Sequence, residues 1–257
     1  MSDPLFRIFH SKIVAFDRCR KQYWFRYISA LPRPPDIPNP AGCVGTGVHR
    51  ALKTLCDTDV PEDGAHELDV YLRMPAHECA GPGTEAYASA FVLYERGCAA
   101  HASIVSEDRW AELDTWVPWD SRRITVSARM DRADRLASTH WQIIDWKTGA
   151  YDFDDLTDQQ LDIGHLAVRT ALRLPAATRV TAIAWNLRTG HRRVRELDRG
   201  DAAATMRKLA GIAARMQAVV EFEAMPGPGC RFCEWRPQCL EADAAEAGDW
   251  SAELEED

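Results

Sequence analysis

The chain has 257 residues, 46% of them hydrophobic, enough to bury the core of one ordinary domain or of two small ones. Its net charge of −8 argues at first against a polyanionic partner, but the tail from Glu241 to Asp257 holds eight acidic residues and no Lys or Arg. Residues 1–240 are therefore neutral, with 31 charges of each sign, and a local basic surface within them can bind a phosphate backbone.

The stretch "FHSKIVAFDRCRKQYWFRYI" spaces Ile13, Phe16, Tyr23 and Tyr27 as on a helix, after a cap at Ser11. "LPRPPDIPNPAG" follows with five prolines in twelve residues and reads as an irregular connector. A helix is expected from Thr46 to Cys56, where Val48, Leu52 and Leu55 form a stripe. Residues 57–83 are polar and broken by Pro and Gly; a further helix spans residues 85–103. The texture then changes to "WAELDTWVPW", "RITVSARMDRADRL" and "HWQIIDWKTG", an antiparallel meander. In its second strand Ile124, Val126, Ala128 and Met130 share one face, which places Asp131 on the other with Thr125, Ser127 and Arg129. A helix over 158–174, the strand "RVTAIAWNL", a basic hairpin at Thr189-Gly190 and a helix over 201–220 complete an α/β core. No internal repeat is present, and the acidic tail is expected to be mobile.

No signal-peptide pattern or bilayer-spanning apolar run occurs, so a soluble cytoplasmic protein is expected, or one of the host cytoplasm if the chain is phage-encoded. In such a compartment the eight cysteines are no disulfide framework, and clustered ones read as metal ligands. Basic residues gather at Arg18, Arg20, Lys21, Arg26 and Arg33, and again at Arg188, Arg192, Arg193 and Arg195. Each group, taken alone, is equally a solvated face.

The chemistry concentrates at "IIDWKTG". Asp145 and Lys147 are two apart on a strand and project to one side, while Asp131 lies on the neighbouring strand about 5 Å away. Two carboxylates there can converge on a hard cation such as Mg²⁺ or Mn²⁺, with the backbone carbonyl of Trp146 as a further oxygen ligand. Lys147 would stabilise developing negative charge on a phosphate. Bland readings stand beside each residue. Asp145 and Lys147 also make an exposed ion pair, Asp131 sits between Arg129 and Arg132, His49 fits a hydrogen-bonded helix histidine, and Gln160 fits a capping box with Thr157.

Taken in order, "GTGVHRAL", "ARMDRAD", "DWKTG" and "QQLDIGHLAV" resemble the PD-(D/E)XK nuclease superfamily, in its RecB-like branch with the CRISPR-associated exonucleases. The resemblance runs from Ser11 to Cys239. It implies an α/β, restriction-endonuclease-like fold: a mixed central sheet flanked by helices, within a single domain over 1–240 whose core is 105–198. It implies His49 as a further metal ligand, Asp131, Asp145, Lys147 and Gln160 as catalytic residues, and DNA as the partner, single-stranded or with free ends. Two positions depart from the pattern. Ala128 replaces a common glycine, and Gly164 stands where an aromatic often follows the glutamine, a contact that Tyr151 or His165 would have to supply. Arg18, Arg20, Lys21 and Arg26 are the further candidates for touching DNA.

Cys230-x₂-Cys233-x₅-Cys239 lacks a fourth ligand nearby. Spacing alone leaves zinc, an iron–sulfur cluster or free thiols open. The same family resemblance supplies Cys19 and implies a 4Fe–4S cluster that joins N- and C-terminal helical segments, about residues 11–30 and 225–240. Cys43, Cys56, Cys79 and Cys98 show no ligand spacing. Two other readings remain: a cluster-stapled DNA-binding subunit with a vestigial nuclease site, and a zinc-stabilised interaction module.

Overall fold

The computed structural model describes residues 5–35, 38–150 and 153–242. In chain order it holds β1 (Phe6–Ile8), α1 (His10–Arg18), α2 (Arg20–Tyr27), α3 (Pro40–Thr58), α4 (Pro61–Leu72), α5 (Glu85–Ala102), β2 (Asp108–Trp119), β3 (Ile124–Ala137), β4 (His140–Lys147), α6 (Asp155–Ala171), β5 (Arg179–Asn186), β6 (Arg192–Leu197) and α7 (Arg199–Ala218). The described residues fall into two compact units, residues 5–9 with 38–210, and residues 10–35 with 211–242.

The first unit is built on a mixed six-stranded sheet. β2 lies antiparallel along β3, whose opposite edge is shared by β1, parallel at its start, and β4, antiparallel at its end. α6 then crosses over to β5, which runs parallel to β4 and turns back antiparallel into β6. Between Val126, the last partner of β1, and Arg132, the first partner of β4, that edge of β3 has no strand neighbour among the described residues. This gap positions the site.

Alternation along the strands sorts the two cores. Ile144, Trp146, Ile183 and Trp185 pack with Val48, Leu52 and Leu55 of α3, Leu68 of α4 and Leu93 of α5. Trp141, Ile143, Val180, Ala182 and Ala184 pack with Leu161 and Val168 of α6. Asp145 and Lys147 therefore belong to the α6 face.

Two helices differ from expectation. α3 begins at Pro40 rather than near Thr46, because the Asn39 side chain accepts from Gly42 N at 2.8 Å and Pro40 fits the first helical turn. α4 occupies residues that read as broken. Pro61 is at its first position, and Gly64 lets it approach so closely that a Cβ there would collide with the Tyr94 hydroxyl and the Ala51 carbonyl. The short strand β1 was also not anticipated.

In the second unit the expected N-terminal helix is two helices. Cys19 between them is extended, at φ −160° and ψ 117°. Ile13, Phe16, Tyr23, Phe25, Ile212, Met216 and Trp235 are buried here. Phe16 meets Tyr23 edge-on and Phe25 stacks on Trp235, each pair with centroids 5.1 Å apart. No helix among the described residues is long and apolar enough to cross a membrane.

Candidate active site

The side alternation of β3 breaks where it reaches the gap. Met130 and Ala133 both face α6, three residues apart, so the two-residue alternation fails between them. On the paired strand Glu112 has φ 45°, and the register leaves Glu112 and Asp131 as the unpaired positions facing each other. Asp131 keeps the side opposite Met130 that alternation assigned to it, toward α3. Its Oδ2 accepts from Trp146 N at 2.7 Å, standing in for a strand carbonyl at the point where the β3–β4 ladder ends. Its Oδ1 lies 3.0 Å from Nδ1 of His49 on α3. The flanking arginines are occupied elsewhere: Arg129 pairs with Asp114, and the buried Arg132 with Asp134. Asp131 is thus no surface ion-pair member.

Asp145 is buried at the end of β4. Lys147 Nζ lies 2.6 Å from its Oδ2. Gln160, one turn into α6, joins the two: Nε2 donates to Asp145 Oδ1 and Oε1 accepts from Lys147 Nζ, each at 2.8 Å. The capping box of α6 is made instead by Asp154 and Thr157, so Gln160 is free of that duty.

The electrostatics follow from this crowding. Burial raises the Asp145 pKa above the usual carboxylate value; the Lys147 charge opposes that shift and the Asp131 charge adds to it. Burial pulls the His49 imidazole down, but the hydrogen bond and charge of Asp131, with Asp145 behind it, hold it above its ordinary value. A buried carboxylate close enough to a second one to feel its charge is a donor set that a hard cation relieves, so these residues fit a divalent metal. They do not form a ready-made cage. Among the described residues no three His, Cys, Asp or Glu side chains stand together as a metal-binding group, because His49 is bonded to Asp131 while Asp145 is held by Lys147 and Gln160.

The other expected contacts fare differently. Tyr151 lies outside the described residues. His165 is buried, with Arg169 Nε donating to its Nε2 at 3.3 Å, and cannot reach a substrate. Gly164 has a packing reason: a Cβ there would collide with the Met130 sulfur, so α6 rests directly on β3. In the second unit Arg18 is exposed, while Arg20 lies 3.6 Å from the centroid of the Phe16 ring. Lys21 is 3.9 Å from Glu241 and Arg26 is 3.3 Å from Glu234.

Cys19, Cys230, Cys233 and Cys239 line one cavity of about 290 Å³ within the second unit. Burial raises the thiol pKa values of Cys233 and Cys239, and the nearby Cys19 adds to both. Four cysteines around one cavity fit a metal or cluster as a donor set, because a cation would offset the thiolate charge that burial and crowding disfavour. The sulfurs are not yet in ligand positions; Cys19 Sγ accepts from Met225 N at 3.4 Å. Cys43 and Cys79 lie elsewhere, with sulfurs 3.6 Å apart, and all eight cysteines are free.

The sequence matches the family model for the PD-(D/E)XK nuclease superfamily over residues 8–240. The chain belongs to that superfamily. Curated proteins yield no match. Among solved structures, a candidate exonuclease from Eubacterium rectale aligns with a TM-score of 0.55 at 11% identity, covering 90% of this chain and 87% of that one. At that identity the likeness is one of fold. The structure of SSO0001 aligns at a TM-score of 0.43 and 10% identity, over 93% and 88% of the two chains.

Proposed function

We propose that the chain is a Mg²⁺- or Mn²⁺-dependent deoxyribonuclease of the RecB-like, CRISPR-associated exonuclease type, acting on single-stranded DNA ends. The observation that carries this reading is the meeting, at the gap in the sheet, of His49 on Asp131 and of Lys147 on Asp145 through Gln160. Such an enzyme would serve recombination, repair, phage DNA processing or CRISPR spacer acquisition, in the cytoplasm of the cell or host. The name given to the Eubacterium rectale protein is in keeping with it.

His49, Asp131, Asp145 and the carbonyl of Trp146 would hold the cation, which supplies positive charge at the scissile phosphate. The protein's own groups do the rest. Lys147 presents its ammonium to the negative charge that develops as the phosphodiester is attacked. Gln160 keeps that ammonium and the Asp145 carboxylate in register by bonding both. Trp146 N–H holds Asp131 in place from the backbone. Cys19, Cys230, Cys233 and Cys239 would hold a 4Fe–4S cluster fastening segments from both chain ends within the second unit.

The test is cleavage of end-labelled single-stranded DNA with and without Mn²⁺. Shortened products that require the metal are expected. DNA bound but never cut in any divalent cation would favour the DNA-binding-subunit reading, and neither binding nor cutting would end the nuclease reading.

A further inference from the structure

The hairpin between β5 and β6 is tied to the turn that follows Lys147. Leu187 N donates to Lys147 O at 2.8 Å, Arg188 Nε to Thr148 O at 3.2 Å, and Asn186 Nδ2 to Gly149 O at 3.2 Å. Asn186 is fully buried, and its Oδ1 accepts from Arg188 N at 2.8 Å and Thr189 N at 3.2 Å. One side chain thereby fixes the hairpin from inside and joins it to the Lys147 turn, so the two move as one piece.

The cations around this piece divide sharply by partner. Arg193 lies 2.6 Å from Asp158 and Arg195 2.9 Å from Asp162, so their charges are met. Among the described residues Arg188 bonds only the Thr148 carbonyl, and Arg96 of α5 only the carbonyls of Leu187 and Arg188. Arg192 lies over the Trp185 ring, 3.5 Å from its centroid. All three are exposed, and none is paired with a carboxylate among the described residues. Carbonyl and ring contacts orient a guanidinium without neutralising it, and leave donors of its planar fork to meet an anion.

We propose that Arg96, Arg188 and Arg192 form a phosphate-binding surface, on the α5 side of the turn that follows Lys147, that grips the backbone of the substrate strand as it leaves the site. The identity of the substrate rests on the nuclease reading above. Because Trp185 is buried beneath Arg192 and offers no face for a base, the surface holds sugar-phosphate only and carries no sequence preference. Anchoring Arg188 to the Thr148 carbonyl sets the distance between the gripped phosphate and the Lys147 ammonium.

The experiment is equilibrium binding of labelled oligothymidylate, without added divalent cation, to wild type, the double variant Arg188→Gln/Arg192→Gln and the control Arg193→Gln. The double variant should bind about tenfold more weakly and flatten the plot of log K against log salt by roughly 1.4, two phosphate contacts on a single strand. In cleavage, KM should rise far more than kcat falls, whereas a merely structural role would lower kcat. A single neutral methylphosphonate linkage near the cleavage point should weaken wild-type binding and leave the double variant unaffected, a readout that alters no residue. An unchanged Kd and salt slope in the double variant, or an equal loss in the control, overturns the surface. Weaker binding by the double variant sustains it even if the wild type cuts no DNA, an outcome that instead defeats the nuclease reading.

Discussion

The end of β4 and the cysteine cavity both gather side chains from distant positions, yet they are built in opposite ways. At β4 every group sits on a helix or strand and already has a partner: His49 on Asp131, Asp131 on Trp146 N, Gln160 on both Asp145 and Lys147. In the cavity Cys19 stands at a break between two helices, and Cys230, Cys233 and Cys239 lie in or beside short 3-10 turns. Hydrogen bonds fix the first arrangement before any cation arrives. The second has the right atoms facing one space but leaves their final geometry to whatever they bind.

The largest test of this contrast is at β4. Asp145→Ala or Lys147→Ala should lower metal-dependent cleavage on the order of a thousandfold, since each removes charge acting on the reacting phosphate. The melting temperature should hold, because the lost groups are functional and not apolar core. Unchanged cleavage by both variants would dissolve the site.

At the cavity the order is reversed, with structure failing first. The protein purified without oxygen should be brown, with iron and acid-labile sulfide in equal amounts. Cys19→Ala and Cys239→Ala should both lose that colour and be cut several-fold faster within residues 10–37 and 211–242. Cys43→Ala should stay brown. Colourless wild type with one zinc, or a brown Cys19→Ala variant with full iron, would refute the four-cysteine assignment and leave β4 untouched.

Much of this was written in the sequence where a periodic signal and a charge coincide. "IIDWKTG" is an apolar strand ending in Asp145 and Lys147, and alternation alone placed them on one face. What escaped has physical causes. Nothing in "ARMDRAD" announces that alternation breaks between Met130 and Ala133, because the left-handed residue beside the break, Glu112, is on another strand and is no glycine. Pro61 and Gly64 read as breakers, but one starts α4 and the other lets it pack closely. "TDQQ" imitated a capping box whose true first member, Asp154, lies three residues before Thr157. The role of Asn186 depends on a hairpin folding back onto the Lys147 turn, a contact no local pattern encodes.

A smaller effect should appear in acid, confined to the sheet-bearing unit. His165 is buried against Arg169, and burial first, then that charge, pull its pKa from 6.5 to about 4. Between those values the unfolded chain binds a proton that the folded one does not, so stability falls as pH drops through that window. The full loss is up to about 3 kcal/mol. Urea midpoints at pH 7, 5.5 and 4.5 should fall in sequence, and His165→Gln should flatten the trend. An identical slope in the variant would assign the acid sensitivity to other groups.

The smallest and most discriminating effect belongs to the start of α6, where the sequence offered two readings of Gln160. If it positions Lys147 and Asp145, Gln160→Ala should lower kcat about tenfold with KM and melting temperature nearly unchanged, since both 2.8 Å bonds are lost and no core packing is. Asp154→Ala removes the observed cap and should do the reverse, costing about 1 kcal/mol of stability with kcat intact. Because the two residues share no bonding partner, the double variant should show both losses added together. A Gln160→Ala variant that melts early but cleaves at full rate would return Gln160 to an ordinary helix residue, and Lys147 would then have to be held by Asp145 alone.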